Sequence, residues 1–188
     1  MSEHRVGLGF DVHPLAAGAP LILGGVVVPS EAGLTGYSDA DVLTHAVMDA
    51  LLGAAALGDL GELFPSTEER WRGASSLLMV REVMERVRAA GWQVANVDAT
   101  IVAEAPRVAP FREAIRRSLS EAMGVSLDQV SLKGHDDGSP GCHRPGRGRG
   151  CLRCGARRKA NVKRQGADQP TVALCPFFQP RCCAFTTR

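Results

Sequence analysis

Asp11-Val12-His13 stands near the start of a 188-residue chain, and His45 follows just past Ser38-Asp39-Ala40-Asp41. One carboxylate and two imidazoles make a three-ligand set for Zn²⁺, leaving a fourth tetrahedral position for water or substrate. In extended chain, residues i and i+2 face the same side, so Asp11 and His13 can converge on one ion. His45 would come from the first turns of the helix that follows. The competing reading is three polar side chains making unrelated hydrogen bonds, since the spacing by itself is a loose pattern.

The elements that must position these residues can be read from periodicity and punctuation. His4 to Asp11 alternates as a strand, and Leu21 to Val28 reads as a second, with Pro14 and Gly18 supplying turn chemistry between them. Ser38 to Asp41 has the spacing of a capping box, and the Ala- and Leu-rich run after it predicts a helix ending at Gly58. Ser75 and Ser76 open another helix, with Leu77, Val80, Met84 and Val87 on one stripe and Gly91 closing it. Val97 to Ala103 predicts a strand, Pro106 to Met123 a helix with Gly124 after it, and Val130 to Lys133 a last strand. The order β-β-α-α-β-α-β implies an α+β fold, a mixed β-sheet with helices packed on one face.

Bulk composition adds a boundary. The net charge of +2 divides into 11 Lys/Arg against 17 Asp/Glu before residue 134, and 11 against 3 after it. All six cysteines (Cys142, Cys151, Cys154, Cys175, Cys182 and Cys183) lie in the second part. The opening Met-Ser-Glu-His has no apolar signal-like stretch, and no apolar run reaches the roughly 18 residues of a membrane span. The expectation is a cytoplasmic protein with no membrane partner.

The residues around the trio resemble the 2-C-methyl-D-erythritol 2,4-cyclodiphosphate synthase family of the non-mevalonate isoprenoid pathway. The matching segments are RVGLGFDVH (Arg5 to His13), LILGGVVVP (Leu21 to Pro29) and GYSDADVLTHAVMDALLGAAALGDLGELFP (Gly36 to Pro65). NVDATIVAEAPR (Asn96 to Arg107) and VSLK (Val130 to Lys133) continue them in the family's order. The resemblance spans about residues 4–133.

It implies a homotrimer with active sites between subunits, and an intramolecular phosphoryl transfer. The 2-phosphate of 4-diphosphocytidyl-2-C-methyl-D-erythritol 2-phosphate attacks the β-phosphorus, releasing CMP and closing a cyclic diphosphate. Zn²⁺ on Asp11, His13 and His45 would act as Lewis acid and template, with Mg²⁺ or Mn²⁺ on the substrate phosphates. No further catalytic group is implied except Tyr37, which stands where many relatives have His and cannot supply a positive charge. Tyr37 and Ser38 would meet phosphate or diol oxygens near a helix start. Asp59-Leu60-Gly61 and Phe64-Pro65-Ser66-Thr67-Glu68 match the loop that holds the methylerythritol diol. Ala103, Glu104, Ala105, Pro106 and Arg107 match the segment that receives cytidine. Asp39 and Asp41 read as cap groups, or as groups that orient His45.

After Lys133 the family continues with Ala-Thr-Thr-Thr, an acidic residue and Thr-Gly-Arg-Gly-Glu-Gly, which bind the diphosphate, the second metal and the cytidine end. This chain reads Gly134-His135-Asp136-Asp137-Gly138-Ser139-Pro140 instead. Gly-His-Asp-Asp-Gly is encoded GGN-CAY-GAY-GAY-GGN, and one nucleotide later the same bases allow Ala-Thr-Thr-Thr-Asp. Between Ser139 and Val162 that frame permits the run Leu-Gly-Ala-Thr-Gly-Arg-Gly-Glu-Gly-Val-Ala. The expectation is a synthase-like domain over residues 1–133 and an out-of-frame, disordered, irregular tail over 134–188. Two alternatives accompany it. One is a family member impaired or retained as a scaffold. The other is a zinc or nucleic-acid module built on Cys142, His143, Cys151 and Cys154, although the spacing lacks a clean second C-x-x-C pair and nucleic acid is not the expected partner.

Overall fold

Helix α1 is buried on nearly every side, and the other elements are arranged around it. The computed structural model describes residues 3–103, 105–135 and 157–164. Its strands are β1 (His4–Gly9), β2 (Leu15–Ala17), β3 (Leu21–Leu23), β4 (Val26–Val28), β5 (Ala32–Leu34), β6 (Trp92–Val102), β7 (Val130–His135) and β8 (Arg157–Arg164). The helices are α1 (Val42–Ala55), α2 (Leu60–Leu63), α3 (Ser76–Ala89) and α4 (Arg112–Met123).

The main sheet has the order β1-β8-β6-β7, with β6 and β7 parallel and the other pairs antiparallel. The fold is therefore α+β with a mixed sheet, as the periodicity implies. Leu43, Ala46, Val47, Met48, Ala50, Leu51 and Leu52 of α1 are all buried, so this helix has almost no solvent-facing side. A helix covered nearly all round must sit inside a layer rather than on top of one. The sheet covers one side of it and α3 another.

Two glycines decide how closely β1 lies on α1. A methyl group at Gly7 would run into the Ala50 carbonyl, and one at Gly9 into the Ala46 carbonyl and the Ala50 amide. Both obstacles are helix backbone, which cannot step aside as a flexible side chain can. The alternate residues of β1, Val6 and Leu8, are 55% and 66% exposed on the opposite face, and Phe10 and Val12 continue that apolar row. Gly9→Ala is expected to cost about 3 kcal/mol or more, the upper end of what overpacking costs. Calorimetry should register a thermal midpoint lowered by about 6–12 °C. A melt unchanged from the parent would show that β1 can be lifted off the helix cheaply.

The structure departs from the sequence expectations at identifiable points. Leu21 to Val28 is a hairpin rather than one strand, because Gly24 (φ 59°) and Gly25 (φ 74°) turn the chain and pair Leu21 with Val28. Helix α1 closes at Ala56, which takes the left-handed conformation at φ 57°, two residues before Gly58. The α4 segment begins with a 3₁₀ turn at Ala109–Phe111 rather than at Pro106. Pro110 fits that first turn because no amide donor is needed there. Gly124 ends α4 at φ 64° as expected.

The largest departure is β8. The expectation of irregular chain after residue 133 does not hold for residues 157–164, which form a strand between β1 and β6. Its sequence, RRKANVKR, has few residues that favour a strand. The slot is set from outside, since β1 and β6 both present open edges and β8 pairs with each of them. Val162 fills the interior position and is fully buried. The remaining residues expected to be disordered, Asp136 to Ala156 and Gln165 to Arg188, lie outside the described residues, as does the Cys142, His143, Cys151, Cys154 group.

Candidate active site

The close approach of β1 to α1 carries Asp11 and His13, just beyond the strand, onto the first turn of the helix. Asp11 Oδ1 accepts from the Val12 amide at 2.8 Å, leaving Oδ2 to face both imidazoles. Oδ2 lies 2.9 Å from His13 Nε2 and 2.9 Å from His45 Nδ1, and the two nitrogens are 3.3 Å apart. His13 Nδ1 donates to the Thr35 carbonyl at 2.9 Å. A carbonyl can only accept, so the His13 proton stays on Nδ1 and Nε2 turns a lone pair toward His45 and Asp11. Gly36 gives this ring its space, since a side chain there would meet the imidazole.

These three atoms satisfy the demands of a metal. Among the described residues Asp11, His13 and His45 are the group of three ligand types converging within 4.8 Å. Bonds of about 2.0–2.1 Å to a tetrahedral ion would set ligand atoms roughly 3.3 Å apart, close to the separations found. An imidazole that carries both ring protons donates from either nitrogen. Burial would raise the Asp11 carboxyl, but the hydrogen bonds from His13 and His45 outweigh it and hold it far below the usual carboxylate range. The same bond to Asp11 raises His13, against burial.

Asp41, not Ser38, caps α1. Its fully buried carboxylate accepts from the Thr44 amide at 3.0 Å and the Thr44 hydroxyl at 2.7 Å. It also accepts from the amides of Gly24 at 2.9 Å and Gly25 at 2.6 Å, fastening the β3–β4 turn to the helix. The capping box read from Ser38 therefore fails, because Ala40 at φ 56° turns the chain and sets Ser38 aside from the helix start. Ser38 Oγ lies instead 3.1 Å from His45 Nε2.

An open cavity of about 220 Å³ fronts the trio, lined also by Tyr37, Ser38, Asp49, Leu60, Gly61, Phe64, Ser66, Trp71 and Met79. Six of the expected substrate residues thus meet the three candidate metal ligands. Asp59, Pro65, Thr67 and Glu68 do not line it. Asp59 instead caps α2, accepting from the Glu62 amide at 2.9 Å. Tyr37 donates its hydroxyl to the Glu68 carbonyl at 3.1 Å, so it braces the loop, and the Arg72 guanidinium sits over its ring. Ala103, Ala105, Pro106 and Arg107 are not among the residues lining this cavity, and Glu104 lies outside the described residues.

Asp49, Trp71 and Met79 line the cavity without having been expected. Asp49 was findable, since it lies four residues after His45 and so on the same face of α1. Its carboxylate accepts from the Leu60 amide at 2.9 Å, and burial raises its pKa. Trp71 meets Phe64 edge-on with ring centroids 4.8 Å apart, a wall that depends on the turn bringing residue 71 back.

A mixed α+β domain with a carboxylate and two imidazoles at the mouth of a cavity defines a metal-site enzyme. The sequence profile of the YgbB family matches residues 4–152. The 2-C-methyl-D-erythritol 2,4-cyclodiphosphate synthase of Synechococcus sp. (strain JA-2-3B'a(2-13)) is 55% identical over 129 residues, 69% of this chain and 82% of that protein. A solved 2C-methyl-D-erythritol-2,4-cyclodiphosphate synthase bound to CDP is similar at TM-score 0.68 and 36% identity, over 84% of this chain and 98% of that one. The bifunctional IspDF from Campylobacter jejuni matches at TM-score 0.76 and 30% identity, over 87% of this chain and 43% of its own. The chain belongs to the YgbB family, the 2-C-methyl-D-erythritol 2,4-cyclodiphosphate synthases. Among the described residues no helix is long and apolar enough to cross a membrane.

Proposed function

We propose that this chain converts 4-diphosphocytidyl-2-C-methyl-D-erythritol 2-phosphate to the 2,4-cyclodiphosphate and CMP at the cavity fronting Asp11, His13 and His45. The observation that carries this reading is the convergence of those three ligand atoms beside Ser38 and Ser66 at one open mouth. An oxygen of the 2-phosphate forms the new bond to the β-phosphorus, and the bond from that phosphorus to the bridging oxygen breaks, so that CMP leaves. The nucleophile belongs to the substrate, and the protein's task is to fold it back on itself and offset charge.

Asp11, His13 and His45 would hold a divalent metal, Zn²⁺ by the nature of the donors, which would supply Lewis acidity to a phosphate oxygen, with Mg²⁺ or Mn²⁺ brought on the phosphates. Ser38 offers a hydroxyl to a phosphate or diol oxygen. Leu60, Gly61, Phe64 and Ser66 form the wall against the methylerythritol, with the loop fixed from behind by Tyr37 and by the Asp59 cap. Ala103, Ala105, Pro106 and Arg107 serve the cytidine end from a neighbouring copy. The exposed apolar row Val6, Leu8, Phe10 and Val12 supports assembly into a homotrimer, since symmetric copies can cover it.

A turnover assay reading CMP release, run beside the solution mass, tests this. CMP and cyclic product in equal amounts, from a species of three chains, are the expected result. Absence of cyclic product from the full 188-residue chain with both metals supplied would overturn the reading.

A further inference from the structure

The two nitrogens of His45 face different worlds. Nδ1 looks toward Asp11 and His13, while Nε2 looks back into the protein, 2.9 Å from Ser76 Oγ. Ser76 is fully buried and does not line the cavity, so it is no substrate group. Its hydroxyl donates to Asp39 Oδ1, and its backbone amide donates to Asp39 Oδ2 at 2.8 Å. Asp39 is itself held from both sides. Its Oδ1 also accepts from the Asp41 amide at 3.2 Å, and its own amide donates to the Ala74 carbonyl at 3.1 Å.

We infer that Asp39 and Ser76 are positioning residues for the metal site, acting through His45. An ionised carboxylate only accepts, so the Ser76 hydroxyl proton is committed to Asp39 and the oxygen can offer His45 only a lone pair. His45 must then carry its proton on Nε2, which leaves Nδ1 as a lone pair aimed at the metal. The relay joins the start of α1 to the start of α3 and sets the tautomer of His45; Asp39 stood among the groups expected to orient that ring, and Ser76 did not. Ser38 Oγ is also near Nε2, at 3.1 Å, but it lines the cavity and lacks the carboxylate behind it. The two serines are therefore not equivalent: Ser76 fixes the ligand, and Ser38 keeps a hydroxyl for the substrate.

Asn at position 39 is the informative change. An amide nitrogen facing Ser76 Oγ would donate to it, turn the Ser76 proton toward His45 Nε2, and drive the imidazole to the wrong tautomer. With the amide flipped, its NH₂ would face the Ser76 backbone N–H, donor against donor. Neither arrangement suits the metal.

This inference rests on the metal reading above, and the experiment separates the two. Zn²⁺ affinity is measured by chelator competition on the full chain for the parent, Asp39→Asn, Ser76→Ala, the double variant and Ser38→Ala. Each variant's metal-free melt is recorded so that a folding loss is not counted as a ligand loss. Asp39→Asn and Ser76→Ala should each weaken Zn²⁺ by about 10–100-fold, the range for outer groups that orient a histidine ligand. The double variant should lose no more than the worse single one, because the two act in series. Ser38→Ala should bind Zn²⁺ within about twofold of the parent, well under the loss for an orienting group. Nitrogen NMR of the zinc-loaded parent should find the His45 proton on Nε2. A His45 proton on Nδ1, parental affinity in both relay variants, fully additive losses, or the same loss in Ser38→Ala would each overturn the relay while leaving the metal site standing. A parent that binds no zinc would instead remove the reading on which the relay rests.

Discussion

Replacing His45 with alanine is expected to lower Zn²⁺ affinity by more than about 100-fold, beyond the upper end of what losing an orienting neighbour costs. Among the described residues His45 contributes one of the three converging ligand atoms, and Asp11 Oδ2 and His13 Nε2 alone leave an open, two-point site. Its loss also removes the partner of Asp11, whose depressed carboxyl is held down by both imidazoles. His13→Ala should do the same, with the difference that the Thr35 carbonyl then loses its donor. Atomic absorption on gel-filtered protein gives the readout, about one Zn²⁺ per chain in the parent and a small residue in either variant. Equal zinc in all three would place the metal elsewhere, and repeating the measurement with the six cysteines alkylated would say whether they hold it.

The second large effect concerns the chain after Lys133. The neighbouring reading frame from codon 134 allows Ala-Thr-Thr-Thr-Asp where Gly134-His135-Asp136-Asp137-Gly138 stands, and the variant to compare carries that sequence. Hydroxyl donors suit a diphosphate, whereas two successive carboxylates repel it, and the penalty grows in a water-poor site. Turnover is expected to rise by about 100-fold or more, the scale of a single lost donor to developing charge. Zn²⁺ affinity should stay unchanged, because Asp11, His13, His45, Asp39 and Ser76 all precede the exchanged segment. Equal turnover in the two proteins would remove any functional weight from the frame argument.

Local chemistry was legible in the sequence wherever one element was enough to express it. The D-x-H spacing put Asp11 and His13 on one side, and the stripe Val80, Met84 and Val87 marked the buried face of α3. Gly124 marked the end of α4 for a local reason, its left-handed backbone. What stayed hidden depends on contacts between distant segments. Ser76 reads as a helix opener, and only the docking of α3 against the Ser38–Asp41 turn makes it a partner of His45. Asp41 reads as one end of a capping box, yet four donors from two segments meet on it. Gly7 and Gly9 fall inside a run read simply as a strand, and only the helix laid against them gives the missing side chains a reason. Arg157 to Arg164 carries almost no strand signal, because two other strands shape the slot it fills.

That slot has a consequence in time. His4 pairs with Lys163, and β8 is the strand beside β1 in the main sheet. Translation at about 5–20 residues per second separates the emergence of these two partners by on the order of ten seconds or more. Until then β1 lacks its sheet neighbour, and Val6 and Leu8 stand beside an unpaired edge. Pairings this distant along the chain also slow closure once both ends exist. The nascent protein thus passes through a long interval in which the end carrying Asp11 and His13 is the least finished part. Chaperone capture during synthesis should accordingly concentrate on the first strand.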